Sequence, residues 1–349
     1  MVSNSSSPTS HAALDPERWD ADLRASGGHL LQSWRWGEFK ARHGWKVNRH
    51  SVGPDGATVA QAQILSRHRG PVGVGYIPRG PSFGEGGPEL IKALFSAVDA
   101  GARKDRILFA IVEPDRPLPL TGRFKQAGFV RGGDHVQPGR TVKVPLLPDD
   151  ALLGQMRQNT RYSVRLAQRR EVRISRLGDG PTIDNFYGLL TDTADRNSFG
   201  VHSRAYYADF LSIFGDDALC LFAHADGALA AALMAARFGD EAIYMYGASS
   251  TQNRAHGAAF LLQFEAMRWA REAGCLRYDL WGIPDVDPEP APEGSTGGVA
   301  SKGDDRRGLF RFKTGFGGEI VSYPPMLERR YRPVSTFLAK RLTSAGRGL

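Results

Sequence analysis

The chain has 349 residues, of which 41% are hydrophobic and 23% are charged, and its formal net charge is +8. These values are typical of a soluble globular protein of about two domains, each large enough to bury its own core. No stretch approaches the ~18 consecutive apolar residues of a membrane-spanning helix, which excludes an integral helical membrane protein.

The first half of the chain predicts a mixed α/β domain over residues 14–149, after a polar lead-in at 1–13 that is expected to be disordered. A short aromatic helix comes before three strands, a periodic helix at 88–104 and a continuous apolar run at 107–113. Such a run is typical of a buried central strand. It ends in a carboxylate, Glu113.

A helix predicted over residues 150–170 carries a strong local positive charge. Arg157, Arg161, Arg165 and Arg169 recur every four residues, so they are expected to lie along one face of the helix. Because no acids are spaced to match them, the pattern favours a bound polyanion. A solvated helix face with long, snorkelling side chains is the alternative.

The second half of the chain repeats the plan over residues 150–335. A helix at 183–197 is followed by another helix, three strands joined by tight turns, a long helix at 255–273 and a further strand. Residues 283–307 are rich in proline and glycine and predict a mobile loop, where an active-site lid is expected. A basic tail at 336–349 suggests either an anionic partner or a solvated helix face.

The segment Gly308–Glu319 combines phenylalanines, one lysine and four glycines. Glycines let the backbone approach a ligand closely, and flanking aromatic rings can desolvate an ammonium group. A lysine held in this way, here Lys313, can stabilise negative charge that develops in a transition state. The alternative is a glycine-rich turn between two strands with an exposed lysine.

Arg254–Ala259 fits the pattern R-x-x-G-x-A, the pyrophosphate-binding loop of GCN5-related N-acyltransferases (GNATs). The physical basis of that loop is a set of free backbone N–H groups at a helix start, with glycine allowing close approach of the ligand. An ordinary turn between a strand and a helix is the alternative.

The sequence predicts neither a metal site nor a covalent nucleophile. Cys220 and Cys275 are isolated in apolar surroundings and are expected to be buried, reduced thiols, as in a cytoplasmic protein. The N-terminal residues lack the apolar run of a signal peptide. His202 and His224 are also isolated and are expected to be structural. Acyl transfer from an activated ester needs no covalent nucleophile, so these absences do not count against a transferase.

Motifs along nearly the whole chain, from about residue 14 to 335, resemble the Fem family of non-ribosomal peptidyl transferases. In chain order they are Gln32-Ser33 with Trp36 and Lys40, Tyr76–Pro81, Glu113-Pro114, Met156–Tyr162, Tyr244–Ser249, Tyr278–Gly282 and Phe310–Gly318. The resemblance implies an α/β (α+β) fold of two tandem GNAT-like domains. It is closer to the compact FemX type than to FemA, because there is no room for a helical-hairpin arm. In this family the CoA site is generally unused, so Arg254–Ala259 is expected to be a relic of the fold.

The resemblance also implies a reaction. Fem enzymes transfer an amino acid from aminoacyl-tRNA to the amine of a peptidoglycan stem peptide and so build the interpeptide bridge. Phe312 and Lys313 match the family's active-site pair, in which the lysine stabilises the charge that develops as the amine attacks the ester. Glu113 matches a carboxylate that faces the incoming amine and orients it or accepts its proton. No cofactor is expected, since aminoacyl-tRNA is a co-substrate.

The remaining implied residues bind the two substrates. Lys40 and Tyr246 match residues that hold the phosphate- and peptide-bearing precursor, and Arg204 with Tyr207 or its neighbour Tyr206 is expected to complete that site. Arg157, Arg161 and Arg165 are expected to contact tRNA phosphates. The acceptor is a nucleotide- or lipid-linked muramyl-pentapeptide. The implied location is the cytoplasm, at the inner face of the membrane when the acceptor is lipid-linked, with the basic tail as a peripheral contact.

Three alternatives stay open at this point. One is an acyl-CoA-dependent N-acyltransferase that uses Arg254–Ala259 and does not need Lys313. Another is a non-catalytic RNA-binding protein built on a transferase fold, with salt-dependent RNA binding and no turnover. The third keeps aminoacyl-tRNA as the donor and moves the acceptor to a peptide-like secondary metabolite.

Overall fold

The computed structural model describes residues 9–10, 15–53, 59–85, 87–120, 127–197, 199–250, 257–287 and 304–332. The chain divides into two compact units. The first unit comprises Met1–Gln137 together with Tyr323–Leu349, and the second comprises Pro138–Ser322.

The strands are β1 Thr9–Ser10, β2 Lys46–Gly53, β3 Ala60–Arg69, β4 Val72–Pro78, β5 Ser82–Phe83, β6 Ile107–Glu113, β7 Val130–Arg131, β8 Arg140–Pro145, β9 Arg173–Arg176, β10 Ala218–Ala225, β11 Ala228–Phe238, β12 Glu241–Ser249, β13 Arg277–Ile283, β14 Glu319–Ser322 and β15 Leu327–Arg330. The α-helices are α1 Pro16–Ala25, α2 Trp34–Arg42, α3 Pro88–Lys104, α4 Asp149–Gln155, α5 Gln158–Arg169, α6 Ile183–Asn197, α7 Arg204–Phe214, α8 Ala258–Glu272 and α9 Asp304–Thr314. Short 3₁₀ turns lie at Leu30–Gln32 and Gly215–Asp217.

The first unit is built on one sheet in the order β1-β2-β3-β4-β6-β15-β7, with β5 paired to β3. Its described strand pairs are antiparallel except β4 with β6, where Pro78 lies beside Glu113. Helix α3 makes the crossover between these two parallel strands and packs Leu94, Phe95 and Val98 against the sheet. Apolar side chains also cover the opposite face of β6. Both faces of β6 are therefore covered, which explains its continuous apolar sequence.

The second unit has a sheet in the order β14-β8-β13-β12-β11-β10-β9. Here the parallel pair is β12 with β13, and helix α8 connects them. These two strands pair over three residue pairs, the last of which is Ile243 with Asp279. Beyond that register the two strands separate, and Tyr244 is the first residue of β12 after the separation. The predicted repetition of an α/β plan in two halves is confirmed, since each unit contains one parallel pair joined by a helix.

The boundary between the units differs from the predicted one at 149/150. It falls after Gln137, because β8 pairs with β13 and β14 in the second sheet. The predicted second domain extends to residue 335, yet the chain returns to the first unit at Tyr323. The reason is that β15 pairs with β6 and β7. These pairings join residues that are far apart in the sequence, so local patterns do not reveal them.

The predicted single helix at 150–170 is wrong in one respect, because it consists of two helices, α4 and α5. Met156 and Arg157 between them have extended backbones, with ψ values of 146° and 150°. The Arg157 N–H donates to the carbonyl of Gly315 at 2.8 Å, outside either helix. The Arg161 side chain donates to the carbonyls of Gly154 (3.2 Å) and Met156 (3.3 Å), which satisfies acceptors at the end of α4.

Several predicted segments fall wholly or largely outside the described residues. They are most of the lead-in at 1–13, residues 254–256 of the R-x-x-G-x-A pattern, most of the loop at 283–307, and the tail at 336–349. Among the helices that the structure describes, none combines the length and the apolar character needed to cross a bilayer.

Candidate active site

Lys313 lies in the last turn of α9 and is buried, with only 6% of its surface exposed. Its ammonium donates a hydrogen bond to the carbonyl of Gly282 at 2.8 Å and lies 5.5 Å from the centroid of the Tyr244 ring. Burial lowers the pKa of Lys313 to about 8, and the nearby Asp279 carboxylate opposes this shift. The alternative of an exposed lysine in a turn between two strands is therefore excluded.

The position of Lys313 is fixed by the glycines that follow it. A Cβ atom on Gly315 would lie 2.2 Å from the Thr160 hydroxyl oxygen, so only glycine allows α9 to end against α5. Gly318 has a φ of +86°, and a Cβ atom there would lie 2.3 Å from the carbonyl oxygen of Lys143. These contacts lock the end of α9 onto α5 and β8, which holds the lysine at one place in the site.

Phe312 points to the other side of α9, into an aromatic cluster and a cavity. Its ring centroid is 4.9 Å from that of Phe260 and 5.3 Å from that of Phe316. The cavity has a volume of about 370 Å³ and is lined by the ends of β11 and β12, the first turn of α8, and α9. Phe312 forms part of its wall, so the cavity lies beside the helix turn that carries Lys313.

The first turn of α8 begins at Gly257, which has a φ of +72°. A Cβ atom on this residue would lie 2.4 Å from the carbonyl oxygen of Ser163 in α5. Gly257 and the two alanines after it line the cavity. The helix start thus presents backbone N–H groups to the space where an anionic or strongly polar ligand is favoured.

Asp279 is a buried acid close to Lys313 that the sequence analysis did not assign to the site. Its carboxylate is fully buried and accepts hydrogen bonds from the Thr141 hydroxyl and from the Trp281 N–H, the latter at 2.6 Å. Trp281 has a φ of +60°, which marks an irregularity in β13 just before Gly282, whose carbonyl holds the lysine. The available signal was a carboxylate inside an otherwise apolar strand.

Tyr207 and Tyr246 lie together, as the prediction of a shared precursor site requires. Their ring centroids are 5.0 Å apart with the planes nearly perpendicular. Burial raises the pKa of Tyr246 well above its ordinary value, with further increases from Tyr206 and Tyr207. Tyr207 lies on α7, and Arg204 is the first residue of that helix. The Arg204 guanidinium is paired with Asp184 of α6, with one hydrogen bond of 2.8 Å.

Lys40 belongs to the first unit and lies in an aromatic cage near the end of α2. Its ammonium is 5.6 Å from the ring centroid of Trp36, 5.9 Å from that of Phe39 and 5.4 Å from that of Trp45. Burial lowers the pKa of Lys40 to about 8, and the positive charge of Arg67 adds to the effect. This is the surrounding of a cation that is held in place and partly desolvated.

Glu113 also belongs to the first unit, at the end of β6, and is fully buried. Its carboxylate accepts hydrogen bonds from the Tyr76 hydroxyl, from the Val136 N–H at 2.5 Å and from the Gln137 N–H at 3.1 Å. The His135 ring nitrogen lies 3.5 Å away. The carboxylate is thus occupied by donors from the segment that leads into the second unit.

The three arginines predicted to bind tRNA have two different surroundings. Arg157 and Arg165 are exposed, whereas Arg161 is half-buried and caps the end of α4. The structure therefore leaves Arg157 and Arg165 on the surface, with Arg169 further along the same helix.

The cysteine prediction is confirmed for burial. Cys220 and Cys275 are both buried and free, and burial raises the pKa of Cys220 to about 12 and that of Cys275 to about 11. Such thiols are protonated at neutral pH and are poor nucleophiles. His202 stacks on Tyr206 with ring centroids 3.9 Å apart, in agreement with a structural role.

Comparison with known proteins shows what each part of the chain is similar to. Residues 21–128 match the model of the FemAB family, and residues 154–289 match that of an acetyltransferase (GNAT) domain. A curated relative, the Lipid II:glycine glycyltransferase of Staphylococcus aureus, is 25% identical over 349 aligned positions, which cover 76% of this chain and 82% of the relative.

Solved structures share the fold. The crystal structure of FemX superposes with a TM-score of 0.80 at 20% identity and covers 95% of this chain and 99% of that one. A tandem GNAT protein from the clavulanic acid biosynthesis pathway superposes with a TM-score of 0.54 at 13% identity, covering 93% and 98% of the two chains. The two units are therefore tandem GNAT-like domains, as predicted, and the chain is a transferase whose first unit is similar to the FemAB family.

Proposed function

We propose that this protein is a tRNA-dependent aminoacyltransferase that adds an amino acid to the amine of a peptidoglycan precursor stem peptide. The observation that carries the proposal is the buried ammonium of Lys313, held by the Gly282 carbonyl on the helix turn that also lines the cavity. Support for the acceptor comes from the Staphylococcus aureus relative, which is a Lipid II:glycine glycyltransferase.

The proposed reaction is an aminolysis of an ester. The acceptor amine attacks the carbonyl carbon of the aminoacyl ester, a C–N bond forms, and the ester C–O bond breaks. The ribose oxygen leaves with the electron pair and takes up the proton that the amine loses. Lys313 stabilises the negative charge on oxygen as it develops, an effect of about 3–4 kcal/mol for one preorganised donor. Because the ester is already activated, no covalent enzyme intermediate is needed.

The acceptor is proposed to be the lipid-linked form of the precursor, as for the relative, and the place of reaction the cytoplasmic face of the membrane. The caged ammonium of Lys40 suits a phosphate of that precursor. The paired rings of Tyr207 and Tyr246 suit its peptide. Arg204 is assigned to the same site, where a bound anion would compete with Asp184 for its guanidinium.

For Glu113 the contacts support an indirect part in the reaction. A carboxylate that accepts from Tyr76, Val136 and Gln137 has few lone pairs left for a substrate amine. We propose that Glu113 positions residues 135–137. Acceptance of the amine proton by Glu113 stays a prediction, and it requires these donors to be displaced.

A transfer assay tests the proposal. The full chain is incubated with radiolabelled amino acids on a mixed aminoacyl-tRNA pool and with either lipid-linked or nucleotide-linked muramyl-pentapeptide, and the products are analysed by mass spectrometry. We expect a product that gains one amino-acid residue and that ribonuclease treatment abolishes. Lys313→Ala is expected to lower kcat by about two to three orders of magnitude. Lys92→Ala, at an exposed lysine, is the matched control.

A second candidate function is supported by one observation. The GNAT model matches residues 154–289, and Gly257 of the R-x-x-G-x-A pattern lines the cavity at the start of α8. If neither precursor gives a product and acetyl-CoA supports acylation that Gly257→Glu abolishes but Lys313→Ala does not, the CoA-dependent function replaces the proposal.

A further inference from the structure

Helix α5 borders the active site of the second domain on two sides. Directly before it, the Arg157 N–H donates to the carbonyl of Gly315, two residues after Lys313. One turn later Thr160 lies against Gly315, and Ser163 lies against Gly257, which lines the cavity. A long substrate that places its reactive end beside Lys313 or in the cavity therefore has α5 as its neighbour.

The outer face of α5 combines a tyrosine with arginines. Tyr162 is 57% exposed, and the guanidinium carbon of Arg169 lies 5.7 Å from the centroid of its ring. Arg165 is exposed on the same helix, and Arg157 is exposed directly before it. Across the described part of the chain, no carboxylate forms an ion pair with Arg157, Arg165 or Arg169. An exposed aromatic ring beside unpaired guanidinium groups combines a surface for stacking with positive charge.

We propose that Tyr162 is a stacking platform for an unpaired nucleotide of the RNA substrate, with Arg165 and Arg169 on the adjacent phosphates. The inference rests on the proposed function. A flat ring flanked by cations suits single-stranded nucleic acid, where each stacked base contributes about 1–3 kcal/mol and phosphates pair with arginines. The donor ester is attached to the unpaired 3′ end of tRNA, so the nucleotides next to it have to pass near the site that α5 borders.

An anionic lipid surface also attracts arginines and tyrosine, but the observations favour RNA. A helix that docks on a membrane presents a row of apolar side chains, whereas the exposed residues of α5 are polar or charged apart from the ring of Tyr162. A single exposed ring next to a guanidinium matches base stacking more closely than insertion into lipid.

Fluorescence anisotropy with the full chain tests the platform. The probes are an acceptor-stem RNA hairpin with an unpaired 3′ overhang, the same hairpin with a blunt end, and vesicles rich in anionic phospholipid. We expect Tyr162→Ala to weaken binding of the overhang hairpin by about tenfold and to leave the blunt hairpin unchanged. Tyr162→Phe keeps the ring and is expected to stay within about twofold of the wild type. Arg165→Gln with Arg169→Gln should weaken both hairpins and flatten the salt dependence.

Leu276→Ala is the matched control, because Leu276 is an exposed apolar residue on another element, with 63% of its surface accessible. The inference is overturned if Tyr162→Ala binds the overhang hairpin as tightly as the wild type does. It is equally overturned if Tyr162→Ala loses vesicle binding while RNA binding stays unchanged. A wild-type chain that transfers amino acid from tRNA while Tyr162→Ala binds normally leaves the proposed function intact and removes only the platform. A wild-type chain that neither binds RNA nor transfers removes both.

Discussion

At the residue scale, the fold buries the ammonium of Lys313 and thereby changes its pKa and its solvation. Transfer of a cation into a buried site is unfavourable, and its pKa falls as a result. The Gly282 carbonyl, the Tyr244 ring and the Asp279 carboxylate offset part of that cost. The group remains mostly protonated at neutral pH, yet it is poorly solvated. In the proposed reaction, its interaction with a developing oxyanion is therefore expected to be stronger than that of an exposed lysine.

The pKa of about 8 gives a prediction for pH dependence. Activity is expected to fall as the pH rises through about 8, because the deprotonated amine no longer stabilises negative charge. In Lys313→Arg the guanidinium stays protonated. Any activity that this variant keeps should lack the decline. The measurement is kcat as a function of pH for both proteins with saturating substrates.

Whereas kcat is expected to fall above a pH of about 8, the contribution of Lys313 to the stability of the protein should rise there. Between the folded pKa of about 8 and the unfolded value of ~10.4, the unfolded chain binds more protons at this residue. The contribution of Lys313 to the free energy of unfolding therefore rises with pH. For the pH profile of kcat, a decline that persists unchanged in Lys313→Arg would assign the titration to another group.

At the scale of elements, the site depends on contacts between α5, α8 and the end of α9 that glycine alone permits. Gly257 combines a left-handed φ of +72° with a gap of 2.4 Å between its hypothetical Cβ atom and the carbonyl oxygen of Ser163. A backbone carbonyl in a helix has little freedom to move. A side chain at this position must therefore displace α5 or the first turn of α8, and with it the wall of the cavity.

Two glycine substitutions are expected to have opposite effects. Gly257→Ala should lower the free energy of unfolding by about 1–3 kcal/mol, through overpacking and the positive φ. Gly188 lies inside α6 with open space around its Cβ position. Gly188→Ala should therefore raise the free energy of unfolding by about 0.5–1 kcal/mol. Urea unfolding of both variants gives the comparison. Equal changes of the same sign would show that α5 and α8 do not meet closely at Gly257.

At the scale of the whole molecule, the chain leaves the first unit after Gln137 and returns to it at Tyr323. Residues of the first unit contact the chain at both places. Glu113 accepts hydrogen bonds from Val136 and Gln137, directly before the second unit begins. Tyr323, where the chain returns, lies under the guanidinium of Arg79, with 3.4 Å between the guanidinium carbon and the ring centroid. The ends of the parallel strands β4 and β6 thus contact the segments directly before and after the second unit, which contains Lys313.

The returning strand β15 is predicted to be essential for the first unit. Arg329 donates two hydrogen bonds to the buried Asp99 of α3, at 2.5 Å and 2.6 Å, and a third to the Ala127 carbonyl. Arg329→Met leaves Asp99 without this partner. It should lower the free energy of unfolding by about 3–5 kcal/mol. Lys92→Ala, in an exposed ion pair, should change it by less than about 1 kcal/mol. Denaturant unfolding of the full chain measures both, and similar small losses would mean that β15 contributes little.

The sequence alone determined the elements whose patterns are local. Helix α3, strand β6 and helix α6 begin and end at the predicted residues, because a 3.6-residue period and a continuous apolar run are both visible within one segment. The resemblance of the motifs to the Fem family also predicted the tandem domains, which the structure confirms, whereas the catalytic role of Phe312 and Lys313 stays a prediction. Helix α1 and strands β9, β14 and β15 were not predicted, since they are short or weakly patterned and are stabilised by their partners.

The tertiary structure decided what depends on contacts between distant residues. The interruption at Met156 and Arg157 arises because a carbonyl of Gly315 takes the N–H that a continuous helix would use. The burial of Lys313 depends on Gly282, 31 residues earlier in the chain. The assignment of β15 to the first unit depends on pairing with β6, more than two hundred positions away in sequence. Local periodicity carries no information on such pairs, and they set the lysine's pKa, the cavity and the exposed face of α5.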